Sequence, residues 1–149
     1  MAKLYEVTRR IRLENAILSA AIRLGVAPKG MHLVAAKGRA TGELRETPIE
    51  PIEMDGKRWL VAPFGEVNWV RNARKAGQVR LRRGRRVEYL QVREAGPSES
   101  APVLRAYLKR GYTADYFDAG PNSLLADFEA EAQKHPVFTV LGPTSPDKK

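Results

Sequence analysis

Residues 37–50 read KGRATGELRETPIE and lie between two runs that have the composition of β-strands. The first run covers residues 32–37, and the second covers residues 44–54 with Pro48 and Pro51 inside it. A tight turn between strands needs glycine for its backbone, but it does not need arginine. The arginines in this turn therefore predict a partner that carries negative charge.

Working outward from this turn, the chain alternates short extended runs with helical patterns. Further strands are predicted at residues 58–62, 79–83, 86–94 and 137–141. Helices are predicted at residues 7–24 and 66–76, after Pro97-Ser98 and after residues 121–123. Because most successive strands are joined by tight turns, the pattern predicts an α+β fold built on an antiparallel sheet or a small barrel. Proline cannot donate to a strand ladder, so the run at 44–54 is expected to be bulged or at an edge.

Length and composition narrow the class of protein. The 149 residues predict a single domain over residues 1–149, with an amphipathic helix within 1–29 and a solvated tail at 143–149. The absence of cysteine excludes disulfides, zinc–cysteine sites, iron–sulfur clusters and thiol nucleophiles. Neither His32 nor His135 has an acid and a nucleophile nearby in sequence, so no metal site and no hydrolytic triad is predicted. Charged residues interrupt the apolar N-terminal stretch, so neither a signal peptide nor a membrane span is predicted. The absence of cysteine favours a cytoplasmic protein.

The positive charge is concentrated in the middle of the chain. The net charge is +9, and residues 37–93 carry 14 basic and 7 acidic side chains. A localised positive field favours an anionic partner, which is a nucleic acid, an acidic lipid or a phosphorylated small molecule.

Two segments are candidate small-molecule sites. Lys37, Arg39 and Arg45 surround the glycine turn, where guanidinium groups match phosphate or carboxylate oxygens. The alternative is an ordinary turn with solvated charges. In the second segment, residues 62–65 (APFG) precede a helix N-terminus, and Phe64 and Trp69 offer flat surfaces to a ring. The alternative is that Trp69 packs the helix onto the sheet.

Two basic segments have other possible roles. Residues 79–86 (VRLRRGRR) alternate, with Arg80 and Arg82 on one strand face, which is typical of a charged edge strand and less so of a nucleic-acid site. The N-terminal helix carries basic residues beside an apolar face, so it either lies on an anionic membrane surface or covers the core. These basic residues are Arg9, Arg10, Arg12 and Arg23.

The segments GRATGELRETPI, DGKRWLVAPFGEVNWVRN and HPVFTV, in this order, resemble the deazaflavin-dependent oxidoreductases related to the mycobacterial deazaflavin-dependent nitroreductase. The resemblance covers residues 30–94 closely and the last strand more loosely. It implies a split β-barrel of about six mainly antiparallel strands with flanking helices, similar to flavin-binding pyridoxamine-phosphate-oxidase-like proteins. The implied cofactor is coenzyme F420, with FMN as the less favoured alternative.

The resemblance also implies which residues hold the cofactor. Residues 37–48 are called the arginine turn below. The residues in it that match the family's clasp for the phosphate and glutamate-rich tail are Gly38, Arg39, Gly42, Arg45, Thr47 and Pro48. Residues 62–65, called the ring loop, match the loop beside the deazaflavin ring. With Lys37 added from the charge of the turn, the predicted cofactor-binding residues are Lys37, Gly38, Arg39, Gly42, Arg45, Thr47, Pro48, Ala62, Pro63, Phe64, Gly65, Trp69 and Asn72.

Departures from the nitroreductase pattern bear on the substrate. Ala40 stands where the nitroreductase has a lysine, and Pro63-Phe64 replaces a Ser-Lys pair. The tyrosine-rich segment that shapes the nitroreductase pocket has no counterpart before His135, so we expect a more aliphatic pocket and no nitroimidazole reduction. The predicted lining residues are Tyr107, Tyr112, Tyr116 and Phe128.

The resulting functional hypothesis is hydride transfer from reduced coenzyme F420 to an apolar conjugated acceptor such as a quinone. The alternative is a non-catalytic carrier of a fatty acid or another apolar molecule. Nucleic acid is not an expected partner, and the N-terminal helix is compatible with peripheral contact with a membrane.

Overall fold

The computed structural model describes residues 9–28, 30–36, 46–65, 67–109, 117–120 and 122–144. Most of the arginine turn and two of the predicted pocket tyrosines lie outside these ranges. The predicted site residues concerned are Lys37, Gly38, Arg39, Gly42, Arg45, Tyr112 and Tyr116.

Within the described ranges the chain forms four helices and seven strands. In chain order these are α1 (Arg9–Leu24), β1 (His32–Ala35), β2 (Thr47–Ile49), β3 (Ile52–Met54), β4 (Lys57–Val61), α2 (Asn68–Ala76), β5 (Gln78–Arg83), β6 (Arg86–Glu94), α3 (Pro97–Leu108), α4 (Leu125–Glu131) and β7 (Val137–Pro143). The strands form one sheet in the order β2-β1-β5-β6-β7-β4-β3, and every neighbouring pair is antiparallel. The prediction of an α+β fold on an antiparallel sheet is confirmed.

The run at residues 44–54 was predicted as one strand, and this is wrong. Its described part forms β2 and β3, which lie at opposite edges of the sheet. Pro51 has no N–H to continue a ladder, so the chain changes partners there, from β1 to β4. Only Glu50 and Pro51 separate the two strands, so Ile49 and Ile52 lie within about 11 Å of each other. The two edges therefore approach each other, and the sheet curls into a nearly closed barrel.

The placement of β5 at a sheet edge was also wrong. β5 pairs with β1 on one side and with β6 on the other. The predicted alternation is nevertheless correct, because Val79 and Leu81 are buried while Arg80 and Arg82 keep part of their surface exposed. The arginines therefore mark the outer face of an interior strand rather than a solvated edge.

The buried residues form three clusters around this barrel. The interior is filled from the strands and from α2, with Leu60, Trp69 and Phe138 among its members. Outside the barrel, α3 and α4 bury a second cluster against β3, β4 and β7. A smaller third cluster joins α1 to β1 through Ile22 and Leu33.

Candidate functional site

The sheet topology brings the ring loop and the described residues on either side of positions 37–45 to the same end of the barrel. Counting antiparallel neighbours from β1 through β5, β6 and β7 to β4, strands β1 and β4 run in the same direction. The arginine turn leaves the end of β1, and the ring loop leaves the end of β4. We call this the upper end. Ala36 and Ala62, where the two segments begin, are both buried in the interior cluster.

Backbone hydrogen bonds fix the ring loop. The Ala62 N–H donates to the Pro136 carbonyl at 2.9 Å, and the Gly65 N–H donates to the Ala62 carbonyl at 3.3 Å. Gly65 has a φ of 89°, a conformation that favours glycine. Phe64, at the tip, is 37% exposed, while Pro63 is half-buried. The loop is thus a tight turn that presents an aromatic side chain to solvent.

Trp69 lies in the protein interior. It is 5% exposed, and its ring centroid is 5.7 Å from that of Phe138 on β7. This position favours the packing interpretation, in which Trp69 holds α2 against the inside of the barrel. Asn72, one turn further along α2, is half-buried. Direct contact of either residue with a cofactor stays a prediction.

The last residues of the arginine turn belong to strand β2. Thr47 and Pro48 lie on β2 opposite Val34 and Leu33 of β1. β2 has β1 as its sole neighbour in the sheet of the described residues, so Pro48 lies on an edge strand, where its missing N–H leaves no ladder bond unmade.

A carboxylate at the end of the arginine turn holds two arginines that sequence reasoning treated separately. Glu46 accepts from Arg23 of α1 at 2.8 Å and from Arg80 of β5 at 3.1 Å, and its side chain is 10% exposed. Arg80 lies opposite Ala35, immediately before the turn. One carboxylate between two guanidinium groups leaves this cluster with one net positive charge. The alternation of β5 marked Arg80 as outward-facing, but nothing in the sequence linked it to Glu46.

The predicted pocket residues that the structure describes pack on the outside of the barrel. Phe128 is fully buried beneath α3, and Tyr107 is half-buried, with its ring centroid 6.5 Å from that of Phe117. Phe117 in turn stacks on His135, with ring centroids 4.0 Å apart. Contact of Tyr107 or Phe128 with an acceptor stays a prediction.

The family model of the F420H2-dependent quinone reductases matches residues 6–120. The chain belongs to this family. The match confirms the resemblance to deazaflavin-dependent oxidoreductases, and it makes reduced coenzyme F420 the cofactor of the family. None of the curated proteins compared with the sequence is similar enough to count as a relative.

Solved structures confirm the split-barrel fold of this F420H2-dependent family member. A structure described as an F420-H2 dependent reductase, FDR-A, is 20% identical with a TM-score of 0.51, covering 75% of this chain and 94% of its own. A structure described as a domain-swapped dimer is 20% identical with a TM-score of 0.54, covering 88% and 95%. A putative pyridoxamine 5′-phosphate oxidase from Listeria innocua is 8% identical with a TM-score of 0.53, covering 77% and 85%.

Arg80 Nε is buried, and the described residues give it no hydrogen-bond partner. A buried guanidinium nitrogen without a partner is costly. No group of three His, Asp or Glu side chains in the described ranges is arranged as a metal site. No helix in the same ranges is long and apolar enough to cross a membrane.

Proposed function

We propose that the chain binds reduced coenzyme F420 at the upper end of the barrel and reduces a quinone or a similar apolar conjugated acceptor. The arginine turn would meet the anionic phosphate and tail, and the ring loop would lie beside the deazaflavin ring. The observation that supports this proposal is that the topology brings the ring loop and the described residues on either side of positions 37–45, which are separate in sequence, to one end of the barrel. The family membership supplies the chemistry.

In this proposal the protein's own groups bind and orient rather than react. Bound coenzyme F420 supplies a hydride, which carries both electrons to the acceptor. Arg39 and Arg45 provide the charge-assisted bonds to the anionic part, with Arg80 and Arg23 contributing to the field around it. Trp69, packed on Phe138, keeps water out of the barrel interior below the ring loop. The proton that completes a hydroquinone comes from water or from a pocket tyrosine.

The test is a fluorescence titration of the protein with oxidised and reduced coenzyme F420. We expect a dissociation constant near 1 μM, about −8 kcal/mol. Arg39→Ala/Arg45→Ala should weaken binding by about 100-fold or more, because each charge-assisted bond contributes about 1.5–3 kcal/mol. The matched control is Arg85→Ala/Arg86→Ala, which removes two exposed arginines from the β5–β6 turn at the opposite end. This control should stay within about threefold of the parent protein.

The same titration separates the rival functions. If both double variants weakened cofactor binding equally, the arginines would act only through the overall positive charge of the protein. That result would contradict the proposed site. Preferential binding of FMN would identify FMN, and not coenzyme F420, as the cofactor. If neither redox state of coenzyme F420 binds but a fatty acid does, the protein is a carrier. Where the cofactor binds, mixing the reduced complex with a soluble naphthoquinone should regenerate oxidised coenzyme F420.

We further propose that α1 contacts an anionic lipid surface during this reaction. One face of the helix exposes Leu13 by 62% and Ile17 by 63%, one turn apart. Arg9, Arg10 and Arg12 are exposed in the first turn of the same helix. Apolar side chains flanked by arginines are the combination that binds helices to anionic membranes, and a lipid surface is also where apolar quinones dissolve.

A further inference from the structure

A buried carboxylate and imidazole lie beside the ring loop, beyond the part of the chain that the family model matches. They are Glu131, the last residue of α4, and His135, which precedes β7. Glu131 is 3% exposed and His135 is 4% exposed. Burial of two such groups is costly unless each has partners, so their contacts indicate what they stabilise.

Glu131 fixes the segment that follows the predicted pocket tyrosines. Its Oε1 accepts from the Asp118 N–H at 2.7 Å and from the Ala119 N–H at 2.9 Å. Its Oε2 lies 3.2 Å from His135 Nε2. The imidazole of His135 stacks on Phe117 at an interplanar angle of 12°. One carboxylate thus holds the backbone after Phe117 directly, and its other oxygen lies next to the imidazole that stacks on the Phe117 ring.

The same pair is connected to the ring loop. The His135 N–H donates to the Glu131 carbonyl at 2.9 Å, and the next residue, Pro136, accepts from the Ala62 N–H. A Cβ at Gly65 would lie 3.3 Å from the Lys134 carbonyl oxygen. The ring loop therefore packs on the same short stretch of backbone that carries His135.

We propose that Glu131 and His135 are positioning residues of the acceptor site, which set the distance between the ring loop and the Phe117 segment. The inference rests on the proposed function, because one of these segments would adjoin the cofactor ring and the other the acceptor. The arginine turn is not part of this connection. Disturbing the pair should therefore impair the fit of the acceptor much more than the affinity for the cofactor.

The variants are Glu131→Ala, Glu131→Gln and the control Glu129→Ala, which removes an exposed carboxylate from the same helix. Amide hydrogen exchange, measured without cofactor, should accelerate about tenfold or more in Glu131→Ala at Asp118, Ala119 and Ala62 together. The glutamine oxygen still accepts from both N–H groups, so Glu131→Gln should stay within about threefold of the parent protein. The control should exchange like the parent protein.

Steady-state kinetics with reduced coenzyme F420 and a naphthoquinone complete the test. We expect the KM for the quinone to rise about tenfold in Glu131→Ala and about threefold in Glu131→Gln, with the dissociation constant of the cofactor within about threefold. A merely unstable variant would lose active protein and kcat but keep its KM. If Glu131→Ala does not fold, the inference is tested by comparing the KM for the quinone in Glu131→Gln with that in Glu129→Ala.

Two results would overturn the inference. One is accelerated exchange at Asp118 and Ala119 with no change at Ala62. The other is an unchanged KM for the quinone in every folded Glu131 variant. If the parent protein does not bind coenzyme F420, the proposed function is wrong, and this result is distinct from the two above. The exchange measurement then still supports or overturns the connection between the two segments.

Discussion

Gly65 illustrates how a single residue shapes the candidate site. Its φ of 89° costs an L-residue about 1–2 kcal/mol, and an added Cβ would also lie 3.3 Å from the Lys134 carbonyl oxygen. Gly56, in the β3–β4 turn at the other end of the barrel, has a similar φ of 75° with no atom within 4 Å of the added Cβ. We expect Gly65→Ala and Gly56→Ala each to lower the free energy of unfolding by at least about 1 kcal/mol.

The two alanine variants should differ in cofactor affinity, because only Gly65 lies in the ring loop. Gly65→Ala should weaken binding of coenzyme F420 about tenfold in the fluorescence titration, since a displacement of the loop misplaces the ring. Gly56→Ala should bind like the parent protein. Equal affinities in the two variants would remove the ring loop from the cofactor site.

Some single residues were predictable from sequence, and others were not. The Asp55-Gly56 turn was predictable because local backbone chemistry decides it, and both residues indeed have positive φ. Trp69 was ambiguous because its sequence neighbours do not include Phe138, the ring against which it packs. Glu46 was overlooked, since its partners Arg23 and Arg80 come from two other elements.

Among the elements, α1 has two faces with different surroundings. Ile22 is fully buried against β1, whereas Ile17 is 63% exposed. Ile22→Ala should lower the free energy of unfolding by about 2–4 kcal/mol, because it leaves a cavity. Leu13→Ala/Ile17→Ala should change it by about 0.5 kcal/mol or less, as expected for surface positions. Chemical denaturation measures both.

Binding to liposomes should show the opposite order. Leu13→Ala/Ile17→Ala should lose cosedimentation with anionic vesicles, because it removes apolar side chains that would enter the lipid interface. Ile22→Ala, where folded, should keep it. Vesicle binding that is unaffected by the double variant would refute lipid contact through α1.

Element types were easier to predict than element partners. The helix at residues 66–76 followed from local signals, and Gly77 does end α2 with a φ of 71°. The strand partners were not predictable in the same way. Charges on β5 were interpreted as an edge, although Arg80 of β5 pairs with Glu46 and α1 contacts β5, and these contacts join residues far apart in sequence.

At the scale of the whole molecule, an ion pair connects the two sides of the barrel end opposite the candidate site. Arg58 of β4 donates to Glu88 of β6 at 2.9 and 3.2 Å, although β7 lies between these strands in the sheet. Burial alone would raise the pKa of Glu88, but the hydrogen bond and charge of Arg58, with the charges of Arg86 and His32, outweigh it and lower the pKa below 4.5.

The lowered pKa fixes the sign of the pH dependence. The stabilisation is fully present above the unfolded-state pKa of about 4.5, and it is lost as the pH falls through the lower folded-state pKa. At neutral pH, Glu88→Gln should therefore be less stable by about 1 kcal/mol. The difference should shrink as urea denaturation is repeated at more acidic pH. A constant difference, or one shared by the exposed control Glu129→Gln, would contradict this role.

The order of the strands also bears on how the protein is made. β7 is the last element along the described chain, yet it lies between β6 and β4 in the sheet. While a ribosome is still translating the residues before Val137, β4 and β6 each lack the strand that satisfies one of their edges. Unpaired edges of this kind recruit other chains. The nascent polypeptide therefore passes through a stage with two unpaired, aggregation-prone strand edges. Molecular chaperones that shield such edges should raise the yield of folded protein.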